Sequence, residues 1–407
     1  MLHVHIGPSP LALGLLIPCT RAAGFGICVV GRPGDDSPAQ YGLVGTGPED
    51  LLSFPKVDAF EGPDTFKDFS DEMGRRITGR EPLLLTCTLR EMICSRRKLV
   101  EEILHARPAG AETVFLPCEN APHSDYGDLA VLCGQLEVLA LRTVVNRMCT
   151  EGERDSQNRR MVSAHSLGEW LIERPPVPSP LLEELRKGAG GTVTLVDDFD
   201  ARKARKLWMV NGAHQALAMM AWNATERALG VIESVDTPLR RSDDLRDAAR
   251  GIRVSARLNY LHAAMDEALR HEYPSLSGNL EYGLEHVVAY SEHPDSVKRV
   301  LANFRRQNLE PFISTMGVRL GRPAEICASL GRSVAPYCFV MDVFESLVLS
   351  LDAFLDVAEI RRGSLKIDCE ADERALAAYA QLLGGWQSAE EVEGRVERLA
   401  SALASHR

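Results

Sequence analysis

The sequence predicts an α/β half followed by an all-α half: a doubly wound parallel sheet, then a helical domain. Three observations predict this. Short apolar runs at "LHVHIG", "FGICVVGRPG", "PLLLTCTL" and "ETVFLPCEN" alternate with helical segments such as "SRRKLVEEILHAR". Strands alternating with helices in units of about 30 residues imply a parallel sheet covered by helices on both faces. The alternation then stops after "GTVTLVDDFD", and amphipathic helical spacing takes over at 201–229, 243–271, 295–308 and 337–359, with turns at "PSLSG", "GRP" and "RRGS". The boundary is expected near 195–200, dividing the chain into domains 1–198 and 199–407. A chain of 407 residues exceeds what one hydrophobic core usually serves, so two domains also fit its length.

Taken in order, "LHVHIG" alternates in character and meets Gly7, as a first buried strand ending in a tight turn would. "PLALGLLIPCTRAAG" follows with helical spacing and stops near Gly24, and "FGICVVGRPG" reads as a second strand closed by Gly and Pro. The apolar N-terminus lacks a basic leader, and its Pro and Gly interrupt it well short of the roughly 18 apolar residues a membrane span needs, so no membrane association is expected. Ten cysteines without a CxxC pair read as reduced, mostly buried thiols of a cytoplasmic protein. The net charge of −11 argues against general binding of nucleic acid, because affinity for a phosphate backbone depends on clustered Lys and Arg. The expected partner is a small molecule, and the expected state is a monomer or homodimer.

In a doubly wound sheet the first strand-turn-helix commonly holds a pyrophosphate at the helix N-terminus, and its fingerprint is GxGxxG. Here Gly7, Ser9 and Ala12 give GxSxxA. Gly7 keeps the tight turn, and Ala12 is a tolerated variant where helix meets strand. Ser9 occupies the space where backbone should approach phosphate, although its hydroxyl could donate to that phosphate instead. An Asp or Glu about 20 residues past the glycines would accept from the ribose hydroxyls of NAD. The end of the second strand carries Gly31 and Arg32 instead. A guanidinium there suits a 2′-phosphate, so a Rossmann-like domain binding NADP(H) is expected, with NAD(H) as the alternative.

Just past the junction, "ARKARKLWMVNGAHQALA" sets Lys206, Asn211 and His214 in a mostly apolar helical pattern. Counted at 3.6 residues per turn, His214 projects about 80° from Lys206 and Asn211 about 140°, so the three share one broad face. Asn is a poor helix former and needs a reason to sit in mid-helix. No HExxH motif or paired Cys/His spacing that would suggest a metal site appears.

These residues carry a resemblance. "ARKLWMVNGAHQALA" resembles the K-x4-N-x2-H catalytic helix of the polyol-specific long-chain dehydrogenases (the mannitol dehydrogenase family), most closely its mannitol-1-phosphate 5-dehydrogenase branch. "HIGPSPLALG" stands where that family has its glycine-rich turn, "LPCENAP" resembles its CEN segment with Asn120, "HSLGEWLIE" its EW-containing strand, and "FRRQNLEPFISTMGVRLGRP" is a weaker match. The resemblance implies metal-free hydride transfer between a nicotinamide cofactor and a secondary alcohol or ketone of a sugar alcohol or keto-sugar, in the cleft between the domains. It implies Lys206 as general acid/base with its pKa lowered by desolvation, Asn120 and Asn211 as donors to the developing oxyanion, and His214 as a ligand of a substrate hydroxyl. Phosphate-specific members carry a basic pair shortly after a GR motif; Glu325 and Ile326 stand there in this chain, with Arg319, Arg322 and Arg332 as the nearby substitutes. Two rivals stay open: a catalytically silent nucleotide-binding protein, and a hydroxyacid or 6-phosphogluconate type of dehydrogenase.

Overall fold

The computed structural model describes residues 1–32, 39–43, 52–59, 63–77, 79, 81–88, 97–107, 110–118, 127–151, 160–226, 245–292, 297–301, 304, 309–349 and 369–404. The chain forms two compact units, Met1–Phe199 and Asp200–Arg407.

In the first unit the strands β1 (Leu2–Ile6), β2 (Gly26–Gly31), β5 (Lys56–Asp58), β6 (Leu83–Cys87), β7 (Thr113–Pro117) and β8 (Leu139–Ala140) form one sheet in the order β5-β2-β1-β6-β7-β8. Every neighbouring pair in it is parallel. The sheet is apolar on both faces, as a parallel sheet covered by helices must be. Val4 and Ile6 face one cluster with Cys28, Val30, Leu85 and Phe115, covered by α2 (Pro63–Arg76), α3 (Arg97–His105) and α4 (Gly127–Gln135). The opposite face meets a π-wound turn, Ala12–Leu16, which continues into α1 (Ile17–Ala22). With α5 (Pro180–Gly188) it buries Leu84, Val114, Leu116 and Trp170.

A second sheet, which the alternation of strands and helices does not reveal, joins β3 (Ala39–Leu43), β4 (Leu52–Phe54), β9 (Thr143–Glu151), β10 (Arg160–Glu173) and β11 (Val193–Val196). It is mixed: β10 runs parallel to β3 and β11 and antiparallel to β9. Trp170 on β10 has no exposed surface and packs in the core, as an indole normally does.

The second unit is helical among its described residues. α6 (Phe199–Arg205), a π-wound segment Lys206–Gly212 and α7 (Ala213–Glu226) run on without a break. The helix expected over 243–271 is two, α8 (Leu245–Arg250) and α9 (Ile252–Glu272), because Gly251 adopts an extended conformation (φ −67°, ψ 123°). α10 (Asn279–Glu292) follows. Of the helix expected over 295–308, the described part is one short turn, α11 (Val297–Val300). α12 (Leu309–Met316) leads through a second π-wound turn, Gly317–Gly321, into α13 (Arg322–Ser329). α14 (Ala335–Leu349), α15 (Cys369–Gly384) and α16 (Ala389–Ala404) complete the unit. Phe304, Phe312, Phe344 and Tyr379 pack ring against ring in its core. Among the described residues, no helix is long and apolar enough to cross a membrane.

Candidate active site

The strand order β5-β2-β1-β6 means that the chain leaves β1 towards β2 on one side and returns on the other at β6. Such a reversal leaves a crevice at the carboxyl ends of the two central strands, where open α/β sheets bind ligands. Gly7 ends β1 at φ 89°, the left-handed region that favours glycine.

The turn's N–H groups are mostly committed. Those of Gly7, Ser9 and Leu13 bond to Val30, Gly7 and Ser9 carbonyls at 3.0, 2.7 and 3.1 Å. Pro8 and Pro10 have no N–H, and that of Ala12 donates to Ser9 Oγ at 3.2 Å. The one Ser9 hydroxyl proton goes to Thr88 Oγ1 at 2.9 Å, across the crevice from β1 to β6. Ser9 therefore caps the helix and bridges the two strands. Ala12 is fully buried, as close helix–strand packing requires.

Behind the turn lies a polar chain inside an apolar sheet. His3 and His5 on β1 project from the face opposite Val4 and Ile6. His3 bonds to Thr20 and Thr86 at 2.8 and 2.7 Å, and His5 bonds to Thr86 at 2.6 Å and to the Gly7 carbonyl at 2.8 Å. Thr88 also donates to that carbonyl, at 2.7 Å. Burial keeps both imidazoles neutral: it holds His3 well below the usual range and pushes His5 down to about 4. With neutral rings, the His5 Nε2–H donates to the Gly7 carbonyl and its Nδ1 can accept the Thr86 proton, while Thr20, beside His3 Nδ1, also donates to the Leu16 and Ile17 carbonyls at 3.1 Å. The network ties the phosphate turn to the middle of the sheet.

At the end of β2, Arg32 is exposed, and its carbonyl accepts a bond from the buried Lys56 amine at 2.8 Å. The same amine holds Asp58 at 2.6 Å, and Asp58 pairs in register with Gly31. A carboxylate therefore lies beside the end of β2, supplied by β5 rather than by the sequence position where a ribose-binding acid is sought. Asn120 lies outside the described residues.

In the second unit Lys206 and Asn211 lie on a segment that is not wound as a plain α-helix, whereas His214 lies on α7. Lys206–Gly212 is π-wound, and the Ala213 N–H reaches back five residues to the Trp208 carbonyl. In such a turn the hydrogen bond links residues five apart, so residues five apart come nearer to one face than at the α-helical period. Lys206 and Asn211 are five apart. The 140° separation counted at the α-helical period is thus narrowed: the wider local winding turns Asn211 towards the face that carries Lys206. Lys206 is 4% exposed, Asn211 and His214 are half-buried.

A π turn redirects backbone carbonyls, and these need other partners. His262 of α9 donates through Nε2 to the Met209 carbonyl at 2.8 Å, and the Tyr290 hydroxyl of α10 donates to the Val210 carbonyl at 2.9 Å. The Tyr290 ring also stacks on His214, centroids 4.8 Å apart and planes 7° from parallel. Gly283 lets α10 approach: a Cβ there would lie 3.0 Å from both His262 and Met209. His286, one turn before Tyr290, bonds to the Tyr282 carbonyl at 2.6 Å and is pushed down to about 4, chiefly by burial, with Arg205 and Lys206 adding to the effect. The guanidinium of Arg205 lies over the Tyr282 ring, 4.0 Å from its centroid.

Gly212 follows Asn211 because the second π turn presses on it: a Cβ there would lie 3.0 Å from the Arg319 carbonyl. The Arg319 guanidinium donates to Gln215 Oε1 at 3.1 Å. Arg322 instead pairs with Glu272 and Glu325 at 3.1 and 2.9 Å, and Arg332 approaches Glu267 at 3.8 Å. Among the described residues, no three His, Cys, Asp or Glu side chains are grouped to hold a metal ion.

No family model matches the chain, and no curated protein matches it in sequence. Solved structures match its fold. The mannitol 2-dehydrogenase of Pseudomonas fluorescens, in a ternary complex with NAD and D-mannitol, aligns with a TM-score of 0.59 at 13% identity, over 100% of this chain and 94% of that one. A 2-dehydropantoate 2-reductase from Geobacter metallireducens GS-15 aligns with a TM-score of 0.50 at 14% identity, over 85% of this chain and 99% of that one. The chain has the fold of these dehydrogenases, a Rossmann-like sheet domain and a helical domain.

Sequence reasoning missed His5, Thr86 and Thr88 behind the turn, Asp58 beside β2, and His262, Tyr290 and His286 around the helix. The signal available for the first group was the pair of histidines alternating on an otherwise apolar strand. For His262 and Tyr290 there was none, since their partners are backbone carbonyls 53 and 80 residues away.

Proposed function

We propose that the protein is a metal-independent oxidoreductase that transfers a hydride between NADP(H) or NAD(H) and a secondary alcohol or ketone of a polyol, keto-sugar or related sugar derivative. This reading is supported by the π-wound segment that carries both Lys206 and Asn211, followed by His214 on α7, in a chain with the dehydrogenase fold. The nicotinamide cofactor, when bound, supplies or accepts the hydride. The turn that Gly7 opens suits its diphosphate, although with fewer free donors than a glycine-rich turn offers, because the Gly7, Ser9 and Ala12 N–H groups are already bonded. Arg32 suits a 2′-phosphate and Asp58 a ribose hydroxyl, so the residues fit either nicotinamide cofactor.

Lys206 takes the alcohol proton in oxidation and returns it in reduction. The Asn211 carboxamide, joined by that of Asn120, donates to the substrate oxygen as charge develops there, and His214 orients a neighbouring hydroxyl. An amine and two carboxamides handle both the proton and the charge, so the reaction needs no metal.

The test is to follow reduced nicotinamide absorbance with NADPH and with NADH against keto-sugars, their phosphates and 2-oxo acids. Lys206→Ala should lower kcat by about 100- to 10,000-fold with cofactor affinity unchanged. Turnover near wild type would remove Lys206 from the mechanism, and no turnover of any panel member by the wild type would overturn the reading.

A further inference from the structure

α9 and α10 are joined by the short connection 273–278 and run antiparallel, as helices linked so briefly do. His262 lies against Gly283, where an added Cβ would come within 3.1 Å of its Nδ1, and that contact sets the register of the two helices. One turn on along α9 and one turn back along α10, Asp266 comes level with Asn279. Beyond these two levels the seam is apolar. Leu258 is level with Val287 at one end and Leu269 with Leu276 at the other, and all four are buried.

The middle of the seam is polar, and its hydrogen bonds are incomplete. His262, Asp266 and Asn279 are 1%, 3% and 2% exposed. Burial pushes the His262 ring below its usual range and keeps it neutral, and its Nε2–H is spent on the Met209 carbonyl, so Nδ1 is a bare acceptor. Asp266 holds Arg270 through Oδ2 at 2.7 Å, which leaves Oδ1 as a second bare acceptor. Neither polar atom of the Asn279 side chain has a partner among the described residues. Two acceptors cannot bond one another, and burying such groups with their bonds unmade is costly. Arg205 also has a buried Nε without a partner among the described residues, but its guanidinium lies over the Tyr282 ring, which offsets part of that cost. The seam offers no such substitute.

We propose that a buried water is held in this seam, donating to His262 Nδ1 and Asp266 Oδ1 and accepting from the Asn279 amide, and that Asp266 and Asn279 are thereby positioning residues for the segment that carries Lys206 and Asn211. A water has two protons to give, which is what the two acceptors need, and buried waters typically make about three bonds to polar groups that lack other partners. Residues four apart on a helix have Cβ atoms about 5–6 Å apart, a span that one water bridges between His262 and Asp266. A cation suits the place less well: Asp266 already carries the Arg270 ion pair, and among the described residues no three His, Cys, Asp or Glu side chains are grouped to hold a metal. The water acts through one ring. It holds His262 in the tautomer that donates to Met209, whose carbonyl belongs to the π-wound segment. The effect on catalysis rests on the oxidoreductase reading, whereas the water itself does not depend on turnover.

The experiment has a structural arm and a kinetic arm, both on the full chain. A crystal structure of the wild type that resolves ordered water should place one within hydrogen-bond distance of His262 Nδ1, Asp266 Oδ1 and the Asn279 amide. A dry seam, a cation there, or direct bonds that satisfy the three side chains would overturn the proposal, and this arm decides even where a variant fails to fold. In solution, Asp266→Leu and Asn279→Leu each remove one partner of the same water. Each should lower the melting temperature by a few degrees, and the double variant should melt little below the less stable single, because the water is lost only once. Additive losses would overturn the shared bridge. On a substrate that the wild type turns over, each leucine variant should lower kcat about tenfold with KM changed less than about threefold. Asp266→Asn, which keeps an acceptor but gives up the Arg270 ion pair, should restore most of kcat. An asparagine variant as slow as Asp266→Leu would assign the loss to the ion pair and overturn the bridging role, and wild-type kcat in both leucine variants would overturn the positioning role. If the water is present and the leucine losses are non-additive while the wild type turns over no substrate, the oxidoreductase reading falls and the water site stands.

Discussion

Replacing Tyr290 with phenylalanine removes one hydroxyl and leaves the ring stacked on His214, which makes it a clean probe of the π turn. The lost bond is a 2.9 Å contact between two buried groups, since Tyr290 is 1% and Val210 6% exposed. The Val210 carbonyl keeps the Ala213 N–H as a partner, so it is not left bare. The stability cost is therefore that of an ordinary hydrogen bond, about 1 kcal/mol, or about 2–4 °C in the melting temperature of a unit this size. The effect on catalysis is expected to be larger. Freed at Val210, the segment can relax towards α-helical winding, which would rotate Asn211 away from Lys206. A misplacement on the order of 1 Å at reacting groups costs about 100-fold, so kcat should fall about 10- to 100-fold with KM changed less than about threefold. His262→Asn, which withdraws the donor to the Met209 carbonyl, should show the same split. The assay pairs nicotinamide absorbance kinetics with thermal melts followed by circular dichroism. A Tyr290→Phe protein that melts a few degrees lower and keeps wild-type kcat would refute the argument that the clamp sets the geometry.

Two other expectations follow from the same structure. His5 in the first unit and His286 in the second are both held near 4, below the usual value of about 6.5. Between these values the unfolded chain takes up protons that the folded chain refuses, so stability is full above about pH 6.5 and falls as pH drops towards 4, by up to about 3 kcal/mol per histidine. Urea unfolding midpoints at pH 7 and pH 4.5 measure this, and equal midpoints would contradict it. At the cofactor end, Arg32→Ala should weaken NADPH about tenfold or more and spare NADH, and Asp58→Asn should do the reverse. Direct binding titrations read both, and equal losses for the two cofactors would remove the basis for assigning those roles.

Much of the fold class was legible in the sequence because it is carried by local periods. Alternating apolar runs and helices specify a parallel sheet, and sustained helical spacing specifies the second half. Periodicity failed where pairing partners are far apart along the chain: β10 draws on β3, β9 and β11, and nothing local in any of them announces a second sheet.

The candidate site divides in the same way. The residue types at 206, 211 and 214 are in the sequence, and so is the glycine at 212 that lets another backbone approach. The sequence by itself determined which side chains are available to move a proton and donate to an oxyanion. Only the tertiary structure decided how the backbone that carries them is wound. The carbonyls of the π-wound Lys206–Gly212 find donors in His262 and Tyr290, and the Arg319 guanidinium finds the Gln215 amide, all far off in the chain. The physical reason is that hydrogen-bond satisfaction and charge balance are properties of the packed neighbourhood, whereas hydrophobic period is a property of the chain.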